Sequence, residues 1–462
     1  MRLPEDFKKR MEQMLGAEYG RFEQAFCTGS GFGGIRVNDY KPGAWQRLAP
    51  YLDGLEPVPW CENGYYCTKE ILDGSHPYHR AGLFYFQEPS AMSAAEGIPI
   101  LPGDRVLDLC AAPGGKSTQI AAKLKGEGIL VSNEIVAKRA AVLSENIERM
   151  GFANVVVTNE SPAALERKFP AYFDKIIVDA PCSGEGMFRK EERAAAEWSR
   201  EHTVACGIRQ RHILDSALAM LAPGGFLLYS TCTFAPEENE AAAEYVLKQY
   251  PHMILADMPR LSMLSPGRGE WIGSDLDLSK TRRIYPHLHQ GEGHFIALFQ
   301  STAPKASGRE KPIRGGKEKD REEMVKLYRE FEKHFLRISL EERGELTAFG
   351  DHLYLKPRGV CLDGVRVVRC GLYLGVCKKG RFEPAHALAP ALNQGDFVNQ
   401  LLLEADNPAL AAYIRGEEID CGGKGWTAVL ADGFGIGWGK ASGGRLKNRY
   451  PKALRGIVTK NR

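Results

Sequence analysis

Cys182 and Cys232 each stand just past a short apolar, β-branched run, in Ile-Ile-Val-Asp-Ala-Pro-Cys-Ser-Gly (176–184) and Phe-Leu-Leu-Tyr-Ser-Thr-Cys-Thr-Phe (226–234). In an open α/β sheet, ligands gather in the crevice beyond the carboxyl ends of the strands, so two thiols delivered there face one substrate. The chemistry this suggests is covalent catalysis. A thiolate is the reactive form, and a free cysteine with a pKa of about 8.5 needs a neighbouring positive charge, backbone amides or a base to reach it; Lys116 is one candidate. The commoner fate of a cysteine, a small apolar filler, suits Cys27, Cys206, Cys370 and Cys377. Cys370 and Cys377 lack Cys-x-x-Cys spacing and a paired His or Cys, so no metal site is expected.

A second constellation opens at Arg105, where Arg-Val-Leu-Asp-Leu-Cys-Ala-Ala-Pro-Gly-Gly-Lys-Ser-Thr reads as a strand over 105–109, a loop containing Gly114 and Gly115, and a helix starting near Lys116 or Ser117. Paired glycines let a ligand approach the backbone without interference from Cβ. Gly-Gly-Lys-Ser-Thr resembles a phosphate-binding P-loop, but that loop requires a glycine five residues before Gly115, where this chain has Cys110. The next strand-like run, 129–133, ends at Glu134, a carboxylate placed to accept hydrogen bonds from both ribose hydroxyls of a nucleoside cofactor. With no glycine pattern for a pyrophosphate, S-adenosylmethionine is favoured over a dinucleotide, and its sulfonium is a further candidate for stabilising a thiolate.

The elements that must position these groups alternate in type. Strand-like runs at 105–109, 129–133, 154–158, 175–179, 226–230 and 294–300 are separated by helical segments, the pattern of a parallel sheet covered by helices. Residues 303–321 are rich in charge, Gly and Pro, and read as a linker. Beyond it, Leu353–Leu355, Gly364–Val368 and Tyr373–Val376 suggest a mostly β module. The chain of 462 residues, 44% apolar, is long enough for several domains. Its 11 scattered cysteines and an N-terminus without an apolar core point to the cytoplasm, and no run approaches the ~20 apolar residues of a membrane span. The net charge of +3 is uneven: residues 1–302 carry 32 Lys+Arg against 38 Asp+Glu, and residues 303–462 carry 29 against 20. The acid-free stretch from Lys440 to Arg462, with Arg445, Lys447, Arg449, Lys452, Arg455 and Lys460 between, suits a polyanion.

Three motifs in order carry a family resemblance: Asp-Leu-Cys-Ala-Ala-Pro-Gly-Gly-Lys (108–116), Asp-Ala-Pro-Cys-Ser-Gly-Glu-Gly (179–186) and Tyr-Ser-Thr-Cys-Thr-Phe-Ala-Pro-Glu-Glu-Asn-Glu (229–240). They resemble the NOL1/NOP2/sun family of RNA cytosine-5 methyltransferases, with the lead-in Gly82–Ala94 extending the match over roughly 80–300. The nearest resemblance is to bacterial 16S rRNA methyltransferases of the RsmF type, and the ending Asp432–Pro451 is similar to their PUA-like module.

The resemblance implies a Rossmann-like class I methyltransferase sheet with an N-terminal α/β extension and a C-terminal, mostly β, PUA-like RNA-binding module. The domain plan is 1–95 for the extension, 96–302 for catalysis, 303–321 for the linker, 322–395 for a first C-terminal module and 396–462 for the PUA-like one. It implies S-adenosylmethionine-dependent methylation of cytidine C5 in RNA, 16S rRNA or the 30S subunit foremost, by a cytoplasmic enzyme; monomer is the default. C5 of cytosine is a poor nucleophile until a thiolate adds to C6 and turns the 5,6 double bond into an enamine. By resemblance Cys232 is that thiolate, Cys182 helps release the product, and Asp179 hydrogen-bonds N3 and the exocyclic amine and lies near the cofactor. Cys110, Ala111, Ala112, Pro113, Gly114, Gly115 and Lys116 wrap the methionine and ribose, and Glu134 binds the ribose hydroxyls. Relatives often place an aspartate where Ser161 aligns, so adenine is read by Ser161, Asn159 or backbone. Arg139 either packs with a salt bridge or contributes to the site. His76–Arg80 and Arg445–Arg455 are candidate RNA contacts. Two alternatives stand beside this: a tRNA cytosine-5 methyltransferase, and a non-catalytic RNA-binding assembly factor. In DNA cytosine-5 methyltransferases the Pro-Cys thiol is the attacker, which would exchange the roles of Cys182 and Cys232.

Overall fold

In the computed structural model, residues 3–28, 31–67, 72–190, 192–304 and 319–456 are described. Residues 305–318 of the expected linker, together with Lys460 and Arg462 of the basic tail, lie outside them.

The central sheet forms because its strand sequences are apolar on both faces. In Arg105–Asp108, Val106 joins a core that also holds Ile120, Leu143 and Leu228, whereas its neighbour Leu107 joins an opposite core with Leu214, Ala217 and Val246. Alternation with period two therefore buries each strand between two helical layers, as parallel sheets require. Five strands run parallel in the order Leu221–Thr231, Phe173–Asp179, Arg105–Asp108, Ile129–Asn133, Val155–Thr158. His294–Ser301 pairs antiparallel with Leu221–Thr231 on one side, carrying Arg282–Ile284 and Ser265–Pro266 beyond it. This is the expected Rossmann-like sheet.

Its other edge departs from expectation. The run expected over Gly364–Val368 becomes a strand only from Val367 to Cys370, and it pairs antiparallel with Val155–Thr158 in the catalytic sheet rather than within the C-terminal β module. An uncovered edge strand exposes unpaired N–H and C=O groups, and this loan from the C-terminal half closes it. Arg369 is buried in the process, 3.1 Å from Glu148 of the helix Ala137–Met150.

The flanking modules are tied to one another. The N-terminal three-stranded sheet, ordered Gly64–Tyr66, Gly34–Val37, Phe84–Phe86, shares one core with the final module: Ile35, Leu48 and Phe84 pack with Leu410, Ile414, Val429 and Leu446. The first C-terminal module packs Phe331, Leu374 and Phe382 against Trp426 and Trp438 of the last. The helices Glu5–Leu15 and Tyr19–Thr28 bring Phe7, Phe22 and Phe26 onto Phe188, Phe234 and Tyr285, beneath the loops that follow the two thiols. His76–Arg80 is absorbed into this packing. His76 and Tyr78 are buried, Tyr78 donates to Asp432 (2.9 Å) and Arg80 to the Leu454 carbonyl (2.8 Å). Among the described residues no helix is long and apolar enough to cross a membrane.

Candidate active site

Parallel register brings the chemistry together. Asp179 lies level with Ser230, so the strands Phe173–Asp179 and Leu221–Thr231 end side by side and their following loops meet. The Cys182 and Cys232 sulfurs are 3.3 Å apart, each partly exposed. The Ser230 hydroxyl donates to Asp179 Oδ1 (2.9 Å), and Lys116 Nζ, from the first turn of the helix Gly115–Lys123, donates to Asp179 Oδ2 (2.7 Å).

The two thiol loops are held in register by groups the sequence did not single out. Buried Glu238 accepts from the Ser183 hydroxyl, the Ser183 N–H (3.0 Å) and Gln210 Nε2 (2.8 Å), while Ser183 also meets Thr233 at 2.8 Å. The Gly186 N–H donates to the Cys232 carbonyl (2.8 Å), and a Cβ at Gly186 would stand 2.9 Å from that oxygen. The signal for Glu238 was its place in Pro-Glu-Glu-Asn-Glu, six residues after Cys232. What it clamps is visible only in three dimensions.

Charge distinguishes the thiols. Cys182 is pushed well above its ordinary value by its hydrogen bond to Cys232, then by burial, with Glu238 adding to both. Lys116 works against burial to remain above its usual value, held there by Asp179, Asp108 and the Cys232 side. A carboxylate thus sits toward Cys182 and an ammonium toward Cys232. The thiol form is favoured on Cys182. Burial opposes the Asp179 carboxylate, but the Lys116 charge and the hydrogen bonds from Lys116 and Ser230 hold it below the ordinary range.

The glycine loop lies one strand over. Gly114 takes φ +115°, and a Cβ there would crowd Leu143 at 3.0 Å. Arg139 donates to the Ala112 carbonyl (2.9 Å) and pairs with Glu134 (3.2 Å), so it ties the loop to the next strand end. Asn146 holds the Pro113 carbonyl (2.9 Å), and the Ala111 N–H donates to Asn133 (2.8 Å). Burial, reinforced by Asp108, Asp179 and Glu134, pushes the Cys110 thiol up, which suits a wall rather than a nucleophile. From the far side, buried Arg36 donates to the Gly115 carbonyl (3.1 Å) and Thr118 (2.7 Å); nothing in the sequence marks this arginine.

Glu134 is 3% exposed and accepts the Val136 N–H (2.9 Å), while neighbouring Ile135 is 61% exposed, an apolar side chain set beside a carboxylate. That combination, with the Gly114 cradle, fits a nucleoside whose ribose and adenine need an acceptor and an apolar cover. Ser161 is brought near but is occupied as a helix cap, accepting the Ala164 N–H at 3.3 Å. Asn159 reaches closer, donating to the Glu134 (2.7 Å) and Ile135 (2.9 Å) carbonyls.

Asp108, under the loop, is fully buried; Ser117 donates to one oxygen (2.6 Å) and the other has no hydrogen-bond partner among the described residues. Burial raises its carboxyl to about 7. Because the folded state binds this proton more tightly than the unfolded chain does, the stabilisation is complete below about pH 4 and is lost as pH rises towards 7. Asp108→Asn should therefore flatten the thermal-denaturation profile between pH 4 and 7. The gain at pH 8 should be on the order of 4 kcal/mol; an unchanged pH slope would refute the assignment.

Family models match nearly the whole chain: 16S rRNA methyltransferase RsmB/F over residues 99–300, the N-terminal domain of 16S rRNA methyltransferase RsmF over 3–89, the RsmF rRNA methyltransferase first C-terminal domain over 330–392 and the methyltransferase RsmF PUA domain over 400–456. The chain is 33% identical over 446 residues to ribosomal RNA small subunit methyltransferase F of Escherichia coli O127:H6, covering 91% of this chain and 89% of that one. It is 32% identical to the protein of the same name from Aliivibrio fischeri, covering 98% and 97%. Among solved structures, a methyltransferase homolog protein from Pyrococcus horikoshii superposes with a TM-score of 0.57 at 28% identity, covering 64% of this chain and 95% of that one.

Proposed function

Because this chain belongs to the RsmF family of small-subunit ribosomal RNA methyltransferases, we propose that it methylates C5 of a cytidine in 16S rRNA through a covalent adduct between Cys232 and C6. The observation that carries this reading is the 3.3 Å thiol pair with an ammonium on one side and a carboxylate on the other.

Cys232 adds to C6 as a thiolate, the pair displaced onto N3 returns through C5 to take the methyl group, and the Asp179 carboxylate accepts from the exocyclic amine and so fixes the base for attack. When bound, S-adenosylmethionine supplies an electrophilic methyl group for C5. Once Cys232 is bonded to C6 the hydrogen bond that raised Cys182 is gone, so Cys182 gives its proton to water and as a thiolate takes the C5 proton; the C–H pair forms the C5–C6 double bond and the Cys232–C6 bond breaks, returning Cys232 as a thiolate. Residues 110–116 and Glu134 would hold the cofactor, with Lys116 anchored by Asp179 and the apolar face of Ile135 beside the ribose acceptor.

The PUA-domain match supports RNA as the macromolecular partner. In the basic tail, Lys440 and Arg449 stand 6.0 and 5.7 Å from the ring centre of buried Trp426, which sets two cations side by side where phosphates can bind. The target must be unpaired or extruded for a thiol to reach C6.

Labelled S-adenosylmethionine with unmodified 16S rRNA, followed by bisulfite sequencing, tests the reading. The expected result is label at one or a few cytidines, matched by loss of those sites in a deletion strain. Methylation lost from tRNA instead would overturn the substrate, and binding without incorporation would leave an assembly factor. Glu134→Gln should raise the KM for S-adenosylmethionine about 10- to 100-fold, as expected when a charged acceptor of two hydroxyl hydrogen bonds is neutralised. An unchanged KM would remove Glu134 from the cofactor site.

A further inference from the structure

We propose that His294 forms, with Asp179, a paired acceptor site for the exocyclic amine of the target base, which makes it a residue that selects cytosine over uracil. This rests on the cytosine-5 reading and adds a group to it.

His294 opens the strand His294–Ser301, whose antiparallel register sets Phe295 opposite Thr231 and Ile296 opposite Ser230. Continued by one residue, that register brings His294 beside Cys232. Asp179 confirms the placement from the other direction: its Oδ1 lies 3.7 Å from His294 Nε2. The imidazole is 3% exposed, and Nε2 is buried with no hydrogen-bond partner among the described residues. A buried polar nitrogen left unpaired costs free energy unless a ligand satisfies it, so an orphan 3.7 Å from Asp179 is a candidate contact.

The ring is neutral. Burial, then the Lys116 charge, bring it down to about 4. The single ring proton is assigned to Nδ1, which leaves a lone pair on Nε2. Asp179 Oδ1 is likewise an acceptor, already taking the Ser230 hydroxyl. Two acceptors 3.7 Å apart call for a donor with two hydrogens. The amine of cytosine is such a group. An amine nitrogen about 2.9 Å from each acceptor spans the gap at a narrow angle, so a small outward turn of the imidazole accompanies binding. Uracil would present a carbonyl oxygen to the same two acceptors, and the repulsion would discriminate against it.

The test uses the full-length protein and a 16S rRNA fragment carrying the target mapped above. That target is replaced either by 5-fluorocytidine or by 5-fluoro-2-pyrimidinone riboside, which lacks the exocyclic amine. With S-adenosylmethionine present, the readout is the rate of denaturation-resistant adduct formation. Wild type should prefer the amine-bearing base. His294→Phe should reduce that preference about tenfold, in line with one lost hydrogen bond, while His294→Gln, whose amide oxygen is again an acceptor, should retain most of it. Equal slowing on both bases, or no change on either, would overturn the inference by assigning His294 to packing. If wild type forms no adduct even with 5-fluorocytidine, the cytosine-5 reading falls, and this inference with it.

Discussion

Cys232→Ala should lower methyl transfer to 16S rRNA by at least about 10⁴-fold, the scale seen when a covalent nucleophile is removed. It should also abolish the denaturation-resistant adduct with 5-fluorocytidine RNA. Cys232 lies 3.3 Å from the Cys182 sulfur and just beyond Ser230, which is already bonded to Asp179. RNA affinity should be nearly unchanged, since the thiol is a small part of the interface, and a filter-binding measurement beside the rate separates lost chemistry from lost folding. An adduct that persists in Cys232→Ala and disappears in Cys182→Ala would reverse the two roles.

Cys182→Ala should have the opposite signature. Its thiol form is favoured and it faces Glu238, so it is suited to proton exchange rather than to attack. A first turnover should survive, whereas multiple turnover should fall about 10²- to 10⁴-fold, the usual range for a lost acid–base group. Enzyme should then accumulate on RNA containing ordinary cytidine, visible as a slow-migrating band on a denaturing gel. Release at the wild-type rate would show that a different group, Asp179 or a water held by it, takes the C5 proton.

Much of the catalytic sheet was legible because parallel strands buried on both faces leave continuous β-branched runs. The expected run 175–179 lies within Phe173–Asp179, and 129–133 coincides with Ile129–Asn133. The exception was Val367–Cys370, where the residue pattern identified a strand but not its partner. Pairing partners distant in sequence leave no local trace: a half-exposed edge strand reads the same whichever sheet it joins. The thiols, the glycine loop and Glu134 were visible because special backbone geometry and charge at a strand end restrict residue type locally. Glu238, Arg36, Asn159 and His294 were not, since each acts through neighbours far along the chain, as Arg36 does on Gly115 and Glu238 on Ser183.

The sequence by itself determined which side chains follow which strand ends, and its three motifs carried the resemblance to the methyltransferase family whose model matches residues 99–300. Only the tertiary structure decided how the reactive groups differ. The carboxylate near Cys182, the ammonium near Cys232 and the unpaired imidazole nitrogen beside Asp179 come from separate elements, and electrostatic fields depend on distance in space rather than along the chain. The same holds for the flanking modules. Ile35 and Phe84 share a core with Leu410 and Val429, since each module has an apolar face it cannot bury alone.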